Sequence, residues 1–213
     1  MASFVLRVMG WHPQIDFNIN KHNIICVFSH TSYYDFMMMI LYKMVHYEKL
    51  ANLKTLIRPD YFNYFGYMLN KIGGIPATKL TDKNGGAVNR ICDLLKTSQP
   101  YQLMISPKGT ILKSEWRTGY MVIAKTMKAD LVALGLDYER KNVYIGTIVP
   151  YNLDENDIKT LLHNDLKQIV PLYPDREVVT IRQHCMDDVS VVRRHYVLAY
   201  CVIFLLFCYK SGL

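Results

Sequence analysis

Short apolar runs alternate along the chain with stretches in which apolar residues recur at helical spacing. Residues 23–28 (NIICVF) form an apolar run rich in β-branched side chains, which predicts a buried strand. From 32 to 47, Phe36, Met37, Ile40, Leu41 and Met44 recur every three or four positions, the mark of a helix. Residues 53–57 predict a second strand, and 61–71 a helix that stops at Gly73-Gly74. A third strand is expected over 74–78, then a helix over 81–96 with Val88, Ile91, Cys92 and Leu95 on one face. Residues 101–106 read as a strand ending at Pro107, and Trp116, Tyr120, Ile123, Ala124 and Met127 share a helical face. Strands over 131–136 and 142–148 and a helix over 154–170 complete the pattern. This alternation predicts an α/β domain with a mainly parallel sheet flanked by helices, a class that binds ligands at the carboxyl ends of its strands.

The two ends differ from this pattern. Phe4, Val5, Val8 and Trp11 fall near helical spacing with Arg7 and His12 off the stripe, so residues 1–22 are expected to form an amphipathic, membrane-facing segment. There is no basic n-region or small-residue cleavage site, so a secretory signal is not expected, and Ala2 excludes N-myristoylation. Residues 196–209 are uncharged, preceded by Arg193-Arg194-His195 and followed by Lys210. As a helix this stretch would be about 21 Å long, short of the roughly 30 Å hydrocarbon core. A buried terminal helix is one reading; the basic flank and terminal tyrosines favour a C-terminal hydrophobic helix anchored in a bilayer. The expected partition is thus 1–22, a domain over 23–176, and an extension over 177–213 carrying the anchor.

Composition narrows the partners. The formal charge is +7, which suits nucleic acid, an anionic membrane face, a phosphorylated substrate, or simply a solvated basic surface. The basic residues form no long run and no nucleic-acid motif is present, so nucleic acid is not an expected partner. Five cysteines without a C-x-x-C pair indicate neither a zinc site nor a disulfide framework, and Cys26 and Cys92 are expected to be buried thiols.

The candidate chemistry begins at Ser29-His30-Thr31-Ser32-Tyr33-Tyr34-Asp35, which follows the first strand and opens the first helix. On a continuous helix, positions five apart point roughly 140° away from each other. His30 and Asp35 therefore meet only if His30 lies in the turn and Asp35 in the first helical turn. A carboxylate on one imidazole nitrogen fixes the tautomer and leaves the other nitrogen to take a proton from a hydroxyl. The plain alternatives are a helix-start histidine and an aspartate favoured by the helix N-terminal charge. Further on, Gly73-Gly74-Ile75-Pro76-Ala77-Thr78-Lys79 ends a strand with a cation, and Pro107-Lys108-Gly109-Thr110 offers a tight turn whose backbone N–H groups could cradle phosphate.

In this order, over residues 7–174, these segments closely resemble the blocks of the glycerolipid acyltransferase superfamily, which includes lysophosphatidate and glycerol-3-phosphate acyltransferases. His30 to Asp35 fits its H-x-x-x-x-D block, 73–79 stands in place of G-G-I-P-V-D-R, and Pro107-Lys108-Gly109-Thr110-Ile111 in place of P-E-G-T-R. Residues 131–138 resemble its apolar strand ending in L-D-Y, 116–120 its W-K-T-G-F segment, and Met9-Gly10-Trp11 its opening sequence. The resemblance implies the fold of that superfamily and a membrane location on the cytosolic face. It implies transfer of a fatty acyl group from an acyl-CoA or acyl-carrier-protein thioester to the hydroxyl of a lysophospholipid or glycerol phosphate. His30 would be the base and Asp35 its partner. Ser32, Lys79, Pro107, Lys108, Gly109 and Thr110 would bind the acceptor and its phosphate, without metal or cofactor. The chain departs from the family where Lys79 replaces Arg, Thr78 replaces Asp, Lys108 replaces Glu and Ile111 replaces Arg. Lys for Arg keeps charge but loses bidentate phosphate binding. Lys108 also leaves open a catalytically weakened lipid-binding or scaffold protein that retains the fold.

Overall fold

The computed structural model describes residues 2–14, 23–77, 86–109 and 116–173. In chain order the elements are α1 (Ala2–Val8), β1 (Ile24–Phe28), α2 (Tyr33–Val45), α3 (Tyr47–Leu50), β2 (Leu53–Ile57), α4 (Phe62–Lys71) and β3 (Gly74–Pro76). They continue with α5 (Gly86–Thr97), β4 (Gln102–Ile105), α6 (Gly119–Met127), β5 (Asp130–Asp137), β6 (Asn142–Val149) and α7 (Glu155–Leu166). Every strand expected from the hydrophobic pattern is present within a few residues. The last helix stops at Leu166, short of the expected 170, and the turn before α4 is a 3₁₀ segment over Pro59–Tyr61. Residues 177–213, with the expected anchor over 196–209, lie outside the described residues.

The strands form one sheet in the order β3-β2-β4-β1-β5-β6. All neighbours pair in parallel except β5 and β6, so the sheet is mixed and mostly parallel. β1 is buried at every position because helices cover both faces. Its side chains alternate accordingly: Ile24, Cys26 and Phe28 join α1 and α2 on one face, while Ile25 and Val27 join α5, α6 and α7 on the other. β5 divides the same way, with Val132, Leu134 and Leu136 on the first face and Leu131 and Ala133 on the second.

The N-terminal stripe splits. Phe4 and Val8 face solvent, but Trp11 is buried, and Ala2 and Leu6 pack into the core beside α2. The reason is Gly10 at φ +77, which reverses the chain after α1 and turns Trp11 inward. Tyr42 Oη donates to His12 O at 2.6 Å, and His12 N donates to Lys141 O at 2.9 Å, so the segment after α1 is tied to α2 and to the β5–β6 turn.

A half-buried cation on α2 ties down the β2–β3 end of the sheet. Lys43 Nζ donates to Leu53 O at 2.7 Å and Ile72 O at 2.8 Å, clamping α2 to the start of β2 and the end of α4. Burial, assisted by the neighbouring Lys54, pushes its ammonium down to about 8. Gly73, at φ +82, lies in this clamp; a Cβ there would stand 2.5 Å from Leu53 O and 3.1 Å from Lys43 Nζ.

Gly10 and Gly73 therefore share a left-handed conformation but not a packing environment, since a Cβ at Gly10 would meet nothing within 4 Å. Gly10→Ala is expected to cost about 1–2 kcal/mol, the conformational penalty alone. Gly73→Ala should cost distinctly more, because backbone must also move. Urea unfolding of both variants checks this, and equal costs would contradict the close packing at Gly73.

Candidate active site

The parallel register brings the candidate segments to one edge. Val27 pairs with Ile105 and Phe28 with Leu134, so the chain beyond β1, β4 and β5 leaves the sheet side by side. Ala77 N donates to Ile57 O at 2.7 Å, which carries the segment after β3 to the same edge. The connection from β1 runs over one face through α2, and that from β4 over the other through α6. Such a reversal leaves a crevice outside the carboxyl ends of adjacent strands, and His30 stands beside it.

The local chain explains how His30 and Asp35 meet. Ser29 N donates to Leu134 O at 3.1 Å, extending the β1–β5 pairing by one step. Ser32 is extended at φ −144, ψ 151 and caps α2, its Oγ accepting Tyr34 N–H at 3.1 Å. Asp35, in the first turn, completes a capping box by accepting Ser32 N–H at 2.8 Å. The same Oδ2 accepts Thr31 N–H at 2.8 Å and lies 3.3 Å from His30 Nδ1. Asp35 thus combines the structural role of a helix-start carboxylate with contact to the imidazole. Because a carboxylate only accepts, His30 Nδ1 carries the proton in this contact and Nε2 is left as the basic nitrogen. The histidine side chain is 22% exposed and the aspartate 3%, so the imidazole is open to a substrate while the carboxylate is not.

A residue that motif reading left without a role completes the group. Tyr138 Oη donates to Asp35 Oδ1 at 2.7 Å. Burial, then the charge of Asp35 and the hydrogen bond to it, push the Tyr138 phenol far up, so it remains a donor at any working pH. Tyr138 was visible only as the last letter of the L-D-Y phrase. Its contact depends on β5 lying next to β1, which periodicity does not reveal.

The turn after β4 differs from expectation. Gly109, at φ +67, donates its N–H to Ser106 O at 3.0 Å, closing the turn on itself rather than presenting that N–H outward. Lys108 is buried, at 2% exposure, instead of forming an exposed cation. Arg117 N donates to Pro107 O at 2.9 Å, and its guanidinium lies 3.9 Å from where a Gly109 Cβ would stand. Among the described residues, the accessible cation at this turn is therefore Arg117, six residues beyond Ile111, the position where the arginine of P-E-G-T-R would be. Ser32 and Pro107 lie buried at the same edge; Lys79 and Thr110 fall outside the described residues. Among the described residues, no group of three His, Cys, Asp or Glu side chains is placed to hold a metal ion.

Comparison with known proteins supplies the family. The model of the Acyltransferase family matches residues 13–150, which span β1 to β6 and include every segment at the crevice. No match was found among curated proteins. The family match covers well over half of the chain and takes in the histidine, the aspartate and the turn after β4, and on that ground the chain belongs to the acyltransferase family, whose reaction is acyl transfer.

Proposed function

We propose that this enzyme transfers a fatty acyl group from an acyl-CoA or acyl-carrier-protein thioester to the hydroxyl of a lysophospholipid or glycerol phosphate. The observation that carries the proposal is the His30–Asp35 contact at the open edge of the sheet, with Nδ1 engaged and Nε2 directed to chemistry. His30 Nε2 takes the proton of the acceptor hydroxyl as its oxygen attacks the thioester carbonyl. The C–S bond then breaks, and the departing thiolate receives the proton from the imidazolium. Asp35 holds the imidazole and stabilises its charge. No acyl-enzyme forms. Labelled acyl-CoA offered to the detergent-purified protein with lysophospholipids and glycerol 3-phosphate tests the reaction. His30→Ala is expected to lower kcat/KM by about 10²–10⁴-fold in a folded protein, and Asp35→Asn to lower it strongly. Wild-type turnover in His30→Ala would refute the mechanism.

The acceptor phosphate is assigned to the loops after β3 and β4, from Lys79 and from Pro107 to Thr110, with Arg117 as the exposed cation. Arg117→Ala should raise KM for a phosphorylated acceptor about tenfold or more and leave KM for the acyl donor unchanged. Lys108→Ala should raise it too, with some loss of stability because Lys108 is buried. A rise confined to Lys108→Ala would remove Arg117 from the site. The scaffold reading has one feature in its favour, the lysine in place of the family glutamate. It would be adopted if wild type, His30→Ala and Lys108→Glu all lacked activity, whereas a large gain in Lys108→Glu on lysophosphatidate would mark the chain as a weakened enzyme.

The membrane is reached from the cytosolic face, with residues 196–209 as the anchor and 1–22 as a surface-lying segment. Exposed Phe4 and Val8 on α1 and exposed Tyr64 and Tyr67 on α4 support contact with lipid. No helix among the described residues is long and apolar enough to cross a membrane. A chain ending at Arg194 should float with liposomes much less than the full chain; unchanged flotation would move the anchor to the N-terminal segment.

A further inference from the structure

Asp35 is held at both oxygens, and the two holds have different origins. Oδ2 is fixed locally, by the Thr31 and Ser32 N–H groups of its own loop. Oδ1 is fixed from a distant part of the chain, by the Tyr138 hydroxyl. Rotation about the Cβ–Cγ bond moves both oxygens, so the hydroxyl on Oδ1 adds a second, opposite restraint to the two N–H groups on Oδ2 and narrows the swing of the carboxylate relative to His30 Nδ1.

Tyr138 is itself braced from several sides. It begins the β5–β6 turn, where Asp137 accepts the N–H groups of Glu139 and Arg140 at 3.0 and 3.1 Å and the Arg140 guanidinium at 2.7 Å. Its backbone N–H donates to Val170 O at 2.9 Å. Its ring meets Trp11 edge-on, with centroids 5.0 Å apart at 89°. Trp11 in turn meets Tyr42 edge-on at 6.3 Å, and Lys141 Nζ lies 5.6 Å from the Trp11 ring and 5.9 Å from that of Tyr138.

We propose that Tyr138 is a positioning residue for acyl transfer: its hydroxyl holds Asp35, and through it the His30 imidazole, while Trp11 buttresses the tyrosine. The inference rests on the reading of His30 as the base. It makes the segment after α1, which precedes the family match, part of the support of the reacting pair. The hydroxyl also draws charge from the carboxylate. Without it, more negative charge faces the imidazole and favours its protonated form. Tyr34, Tyr173 and Lys141 also face Tyr138.

Tyr138→Phe keeps the ring against Trp11 and removes only the donor, so it separates positioning from packing. In the full chain, kcat should fall about tenfold to a hundredfold, the usual effect of losing a hydrogen bond to a charged group. KM for both substrates should stay within about twofold, and the acidic limb of the kcat/KM–pH profile should move to higher pH. A merely structural tyrosine would lower the melting temperature and leave the pH profile in place. His30→Ala is measured beside it. If His30→Ala is inactive but Tyr138→Phe keeps wild-type kcat and pH profile, the inference is overturned while the base stands. If His30→Ala is active, the underlying reading itself fails. Should Tyr138→Phe not fold, Trp11→Phe replaces it, keeping the hydroxyl and weakening its buttress. Lower kcat with unchanged KM would support the proposal, and wild-type kcat and pH profile would overturn it.

Discussion

The carboxylate of Asp35 is the point on which the site depends. It accepts two N–H groups of its own loop, the imidazole N–H of His30 and the hydroxyl of Tyr138. A buried charge is tolerated only when its lone pairs are met in this way, because desolvation otherwise outweighs any single contact. The demand acts in both directions. It fixes the path of residues 31 to 35, since only an extended Ser32 brings those N–H groups onto one oxygen. It also requires a donor for the other oxygen, which the far end of β5 supplies.

Sheet order makes that supply possible. β1 lies between β4 and β5, so the chain beyond each strand leaves the same edge within reach of the others. Apolar cores on both faces hold the strands in register, and a parallel sheet covered on both sides needs strands that are apolar at almost every position. β1 meets that requirement, and its burial keeps the loop that follows it from shifting. The His30–Asp35 pair thus follows directly on the most enclosed strand of the domain.

The cations divide by burial into different tasks. Lys43 is spent on backbone carbonyls at the ends of α4 and β2's first residue, where it holds the Gly73 turn. Lys108, although it stands in the block expected to meet phosphate, is enclosed. Arg117 is exposed at the same turn, tied to it through its backbone and lying over Gly109. A planar guanidinium suits phosphate better than an ammonium, so under the proposed function Arg117 would stand in for the arginine absent at Ile111.

Much of this was legible in the chain itself. The β-branched run at 24–28, the helical stripe after it and the glycine stop at 73–74 follow from local sterics and apolar spacing, which sequence states directly. The pairing of His30 with Asp35 was legible too, because a strand end followed at once by a helix start leaves few ways for residues five apart to meet. What could not be read there came from contacts between distant segments. Tyr138 reaches Asp35 across 103 positions, and Trp11 turns inward to Tyr138 instead of continuing an exposed stripe. The burial of Lys108 and the placement of Arg117 over Gly109 likewise depend on how two loops fold back on each other. Periodicity records which side of an element is apolar; only the order of strands in the sheet decides which side chains from separate elements arrive at the same carboxylate.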